Sequence, residues 1–185
     1  MLIGFTGPQC SGKSTLLKQM LHSDRYRKCT FIKEVTRKVA AAGYAINDQG
    51  DDVTQLFILN EHLNNHHLTG CAVLDRCIVD GYIYTKWLHS QQKVSDWVLT
   101  YAEELHSLLI NKIDLILYPD PHEIDLVDDG QRSARVDFRE QITSLYVDYF
   151  ADNPDVYNKT LTLSGTIDQR FKTLQQHLKT YDKIR

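Results

Sequence analysis

Short unbroken apolar runs alternate along this chain with longer stretches in which apolar residues recur every three or four positions. Residues 2–6 form the first run, ended by Gly7-Pro8, and helical patterning takes over from Lys13 to about Leu21. Residues 29–32 make a second run, and residues 35–42 read as a helix stopped by Gly43. Asp51 and Asp52 can cap a helix whose apolar positions are Val53, Leu56, Phe57 and Leu63. Residues 71–74 form a third run closed by Asp75, and residues 78–88 suit a further helix. Val94, Val98, Tyr101, Ala102, Leu105, Leu108 and Leu109 then make a pronounced helical stripe. Residues 115–118 are a fourth run, stopped by Pro119 and Pro121. Phe138, Ile142, Leu145, Tyr146 and Tyr149 mark another amphipathic helix. A weak run at 161–163 precedes a last helix carrying Ile167, Phe171, Leu174, Leu178 and Tyr181.

Short strands without inside–outside alternation, separated by helices, are buried on both faces. The pattern predicts a three-layer α/β/α domain with a parallel sheet of about five strands. Linker composition and internal repeats are absent, so residues 1–185 are expected to form a single domain.

Composition adds only exclusions. Hydrophobic residues make up 42% and charged residues 24%, the usage of an ordinary globular protein. The formal net charge is −3, from 21 Lys+Arg against 24 Asp+Glu, which argues against a dedicated duplex-DNA binder. Arg25, Arg27, Lys28, Lys33, Arg37 and Lys38 nonetheless cluster against only Asp24 and Glu34. This segment reads either as a solvated rim or as an edge facing phosphate or polynucleotide. Cys10, Cys29, Cys71 and Cys77 show no C-x-x-C spacing, so neither zinc nor a structural disulfide is expected, and a reducing cytoplasm follows. No run approaches the ~20 apolar residues that span a bilayer, and the apolar start has the character of a strand and not of a signal peptide.

Gly7-Pro8-Gln9-Cys10-Ser11-Gly12-Lys13-Ser14 fits G-x-x-x-x-G-K-[ST] without a gap. Glycines let such a loop curl so that main-chain N–H groups face phosphate oxygens, and the following helix adds its positive end. Residues 7–14, with Thr15 beside them, are therefore expected to bind ATP. Lys13 is expected on the β- and γ-phosphates, and the Ser14 hydroxyl on Mg²⁺. The fold expected around this loop is that of a P-loop kinase.

Asn111-Lys112-Ile113-Asp114 matches the guanine-reading tetrad N-K-x-D, but it precedes its apolar run. Ligands of a parallel sheet gather at the carboxyl ends of strands, so a GTPase is rejected. Asp75, ending the third run, is placed as a second Mg²⁺ ligand, or else as a helix cap. Glu34 and Arg37 follow the second run. In the nucleoside kinases that this chain resembles, an acidic residue at that place accepts the proton of the attacking hydroxyl, which implies Glu34 as base or hydroxyl orienter and Arg37 as an anchor for the acceptor; the plainer reading is an exposed pair at a helix start. Asp80 and Tyr84 lie on the helix after Asp75-Arg76 and are expected to line the acceptor cleft. In the P-loop kinases that this chain resembles, the stretch between the fourth strand and the next helix is a mobile lid, which implies that role for residues 119–135. Within it Gly130 is a hinge candidate, and Arg132 and Arg135 are candidates for closing on the transferred phosphoryl group, unless they are ordinary solvated residues. Leu163-Ser164-Gly165 with Arg170 is positioned like an adenine-stacking loop.

The P-loop, Glu34-x-x-Arg37, Asp75-Arg76 and Asp128-Asp129-Gly130-x-Arg132 together resemble the small P-loop kinases related to nicotinamide-riboside kinase and thymidylate kinase. In such proteins the arginine of the Asp-Arg pair touches a phosphate, which implies a substrate role for Arg76. Cys77 departs from the Tyr, His or Ser common at the next position in those families, and this leaves their substrate open. The resemblance implies ATP- and Mg²⁺-dependent phosphoryl transfer to a nucleoside- or nucleotide-like hydroxyl. Two alternatives stand beside it. One is the viral branch that phosphorylates hydroxymethyluracil within DNA in a host cytoplasm, which the basic 25–38 segment suits. The other is a regulatory ATP-binding switch with no acceptor. Oligomeric state is left open.

Overall fold

The computed structural model of the protein describes residues 1–123 and 136–182. Its strands are β1 (Leu2–Phe5), β2 (Thr30–Ile32), β3 (Ala72–Leu74), β4 (Leu115–Pro119) and β5 (Thr160–Leu163). They form one sheet in the order β2-β3-β1-β4-β5, with every pairing parallel. The helices between them are α1 (Lys13–Leu21), α2 (Val35–Ala41), α3 (Asp52–Asn65), α4 (Ile78–Ser90) and α5 (Asp96–Leu109). The chain continues through α6 (Val136–Asp152), α7 (Pro154–Asn158) and α8 (Ile167–Asp182).

Successive side chains of a strand point to opposite faces, and the core divides accordingly. Leu2, Ala72, Leu74 and Ile116 pack with α3, α4, α5 and α6 on one face. Ile3, Phe5, Val73, Leu115 and Leu117 pack with α1 and α8 on the other. This is the expected three-layer arrangement with five parallel strands, a P-loop kinase fold. Gly4, in the middle of β1, has a packing reason: a Cβ there would come within 2.7 Å of Cys77 Cβ at the start of α4.

Three expectations need correction or refinement. Cys29 and Cys71 form a disulfide. Each stands one residue before the Thr30↔Ala72 pair in the parallel ladder of β2 and β3, a juxtaposition that a separation of 42 residues hides. The cysteine argument for a reducing compartment falls with it. In α3, Asp51 does cap the helix by accepting from the Thr54 amide at 2.9 Å. The face turned inward, however, is Thr54, Gln55, Ile58, Leu59 and His62, while Val53 and Phe57 are exposed. The buried side of α3 is part polar because it borders a cleft. Leu108, placed on the α5 stripe, is also exposed. Among the described residues, no helix is long and apolar enough to cross a membrane.

Candidate active site

The carboxyl ends of β1, β2 and β3 deliver the chemistry, as the geometry of parallel sheets requires. After β1 the chain curls through the loop of residues 7–12 before entering α1. Gly7 (φ 131°) and Gly12 (φ 88°) take positive φ that side chains resist. Cys10 also sits in the left-handed region at φ 54°, a strained choice typical of ligand-holding loops. Lys13 is buried, and its ammonium donates to Gly7 O at 2.8 Å, Pro8 O at 2.6 Å and Ser11 Oγ at 3.1 Å. The cation is thus held inside the loop. Gln9 and Ser11 are buried beside it, and Thr15 is exposed on the first turn of α1.

Ser14 Oγ lies 3.5 Å from Asp75 Oδ2. Asp75 is buried at the end of β3, and its amide extends the β2–β3 ladder by donating to Ile32 O at 2.9 Å. A hydroxyl and a carboxylate side by side fit Mg²⁺, which takes one or two protein oxygens and draws the rest from water and nucleotide phosphates. Among the described residues no group of three or more His, Cys, Asp or Glu could hold a metal by itself. Ser14 and Asp75 would accordingly hold the ion together with the nucleotide.

The next residue, Arg76, is the hub of a buried charge network. Its Nε donates to Glu34 Oε1 at 2.7 Å and one terminal nitrogen to Asp80 Oδ1 at 2.6 Å. The same nitrogen lies 3.4 Å from Gly7 O. The guanidinium carbon stands 5.1 Å from the centre of the Tyr84 ring. Burial works against its charge, but Tyr84, Glu34 and Asp80 outweigh that effect and hold its pKa above the ordinary arginine value. Glu34 is buried, not an exposed helix-start residue, and its Oε2 also accepts from Arg37 Nε at 3.1 Å. Arg37 is half-exposed at the rim.

Asp80 and Tyr84 line a cleft together with Thr36, Asn47, Gln55 and Arg76. Tyr84 OH donates to Gln9 Oε1 at 3.2 Å, joining α4 to the loop. Burial raises the Tyr84 pKa, keeping the phenol protonated. Cys77, which departs from the resembled families, is the N-cap of α4 and shares a capping box with Asp80. Burial first, and Asp80 second, push its thiol up to about 12, so it is a packing group against Gly4 and not a nucleophile.

Arg170 is where the sequence misled most. It is fully buried and does not offer a stacking face. From α8 it donates to Ser11 O at 2.9 Å, Asp120 O at 3.0 Å and Gly165 O at 2.7 Å. One guanidinium therefore braces the phosphate loop, the exit of β4 and the β5–α8 turn. Nothing in a helical pattern announces such a role; an arginine falling on the apolar face between Ile167 and Leu174 was the available signal. The tetrad Asn111-Lys112-Ile113-Asp114 precedes β4 and stands at the opposite end of the sheet, where Asp114 accepts from the Leu2 amide. Gly130, Arg132, Arg135 and the Asp128-Asp129 pair lie outside the described residues.

The sheet order and the loop define a P-loop domain of the kinase type. A family model described as an AAA domain matches residues 2–170, and the chain belongs to that family. Solved structures share the fold at low identity. Deoxyadenosine kinase from M. mycoides, with products dCMP and dCDP, is 14% identical with a TM-score of 0.73, over 98% of this chain and 100% of that one. The NadR protein in complex with NR is 17% identical with a TM-score of 0.66, over 95% of this chain and 50% of that one. No curated protein sequence gives a significant match.

Proposed function

We propose that the chain transfers the γ-phosphoryl group of Mg·ATP to a hydroxyl of a nucleoside-like small molecule. The observation that carries this reading is the buried Glu34–Arg76–Asp80 network, set between the phosphate loop and a cleft. That cleft sets apolar surface from Val35, Ile58 and Tyr84 beside the polar side chains of Thr36, Asn47 and Gln55, the mixed lining that a nucleoside-like ligand calls for. Lys13 and the loop hold the triphosphate, and Ser14 and Asp75 would hold Mg²⁺, which would supply positive charge against the phosphate oxygens. Glu34 orients the acceptor hydroxyl and takes its proton, and Arg76 fixes the Glu34 carboxylate in place. The likeness to deoxyadenosine kinase and to NadR with NR supports this reading at the level of fold.

The basic segment supports a DNA acceptor less well. Arg25, Arg27 and Lys28 precede β2, whereas Lys33, Arg37 and Lys38 follow it. Two of the latter are paired, Arg37 with Glu34 and Lys38 with Glu61. An acceptor screen with γ-labelled ATP tests the proposal against both alternatives. Label entering a free nucleoside is the expected result. Label entering only hydroxymethyluracil-containing DNA, or ATP bound with no label transferred to any acceptor, would overturn it.

A further inference from the structure

The wall of the acceptor cleft contains a buried imidazole that the phosphoryl-transfer machinery leaves unused. His62, on α3, is 1% exposed and lines the cleft beside Arg76, Asp80, Gly81 and Tyr84. Its Nδ1 has no hydrogen-bond partner. Buried polar atoms in native proteins are nearly always paired, so an orphan asks for an explanation. A second local cost stands opposite. Gly81 lies inside α4, where glycine weakens a helix. A Cβ at that position would approach His62 Cδ2 to 3.0 Å and Nε2 to 3.5 Å, so the missing side chain is what makes room for the ring. Two sacrifices of stability meeting in one cleft wall are the mark of a site kept for binding and not for folding.

Resting on the function proposed above, we propose that His62 hydrogen-bonds the heterocyclic base of the acceptor and selects an uncharged nucleoside over a nucleotide. Burial first, then His66 and Arg76, hold the imidazole well below its ordinary pKa, so near neutrality it offers one donor and one acceptor and no charge. Arg76 is already engaged by two carboxylates, Glu34 and Asp80. An acceptor phosphate seated at this end would face those carboxylates, whereas a flat neutral ring finds the apolar surfaces of Ile58 and Tyr84. His62 is thereby a specificity residue, separate from the groups that move the phosphoryl.

Steady-state kinetics of His62→Leu and His62→Asn with nucleosides and Mg·ATP test this. Loss of one buried hydrogen bond to a neutral partner predicts that His62→Leu raises the nucleoside KM about tenfold. The KM for ATP should stay within about twofold, and Tm should hold or rise, because an orphaned polar group has been removed. A histidine of merely structural value would lower Tm and move both KM values together, and that outcome would overturn the proposal. So would a folded His62→Leu with an unchanged nucleoside KM. Should the leucine variant fail to fold, His62→Asn decides. A changed rank order among base analogues that each lack one ring nitrogen is expected, and an unchanged order counts against. Wild-type protein that phosphorylates no nucleoside at all would defeat the parent reading. Turnover of nucleosides with His62 indifferent would defeat only this one.

Discussion

At the scale of single residues, the site turns on where charge is buried and what compensates it. Lys13 keeps its ammonium among loop carbonyls and a hydroxyl, so Lys13→Ala removes the loop's own cation without opening the hydrophobic core. Phosphoryl transfer should be lost, with the circular dichroism spectrum retained; undiminished turnover in the folded variant would detach Lys13 from the triphosphate. Glu34 is a different case because both its oxygens are engaged by arginines. Glu34→Gln keeps the shape but removes a charge from a buried pair. Removing a positioned base typically costs about 10²–10⁴ in rate, so kcat should fall by at least about 10², while the KM for ATP changes little. The stability cost should be felt as well, on the order of 3 kcal/mol, because Arg76 is left with Asp80 as its remaining buried carboxylate partner. An ADP-release assay and urea unfolding on the same preparation read the two effects separately.

At the scale of elements, much of the architecture was legible because it rests on periodicity. The unalternated runs at β1, β3 and β4 and the helical stripes of α5, α6 and α8 follow from burial on two faces or on one. The loop at 7–14 was legible because its chemistry requires a contiguous spacing. What escaped were contacts that the fold brings together from distant positions. Arg170 reaches Ser11 across 159 residues, and Arg76 reaches Glu34 across 42. The α3 face was misread because a helix bordering a cleft buries Gln55 and His62 in place of leucines. The Cys29–Cys71 link belongs to the same group, since only the ladder register juxtaposes the two sulfurs. It fastens the short edge strand β2, which leads to Glu34, to β3, which leads to Asp75. Closing a loop of 42 residues in the unfolded chain corresponds to a stabilisation of up to about 4 kcal/mol. Cys29→Ser should lower the unfolding free energy by that order, with the urea midpoint falling accordingly, and dithiothreitol should bring the wild type down to the variant. A midpoint indifferent to both would show that the ladder alone holds β2.

At the scale of the whole molecule, the buried histidines set how the fold answers to acid. Burial, with His67 and Lys112 acting the same way against a backbone hydrogen bond, lowers His66 to about 4. Burial and then Lys159 bring His106 to about 4 as well. His62 is lowered too, by burial first. In the unfolded chain each titrates near its ordinary 6.5, so between pH 6.5 and 4 the unfolded state binds protons that the native state refuses. Stability is therefore fully present above pH 6.5 and declines as pH falls toward 4, by about 1.4 kcal/mol per pH unit for each such group. Two or three such groups together remove roughly 4–6 kcal/mol by pH 5, a large share of a total of roughly 5–15 kcal/mol for a protein of this kind. Urea midpoints at pH 7.0, 6.0 and 5.0 should fall in step. His106→Gln, which can keep a hydrogen bond to Tyr149, should flatten that slope by about 1.4 kcal/mol per unit. A stability that holds level from pH 7 to 5 would mean that these rings take up their protons without disturbing the packing of α3 and α5.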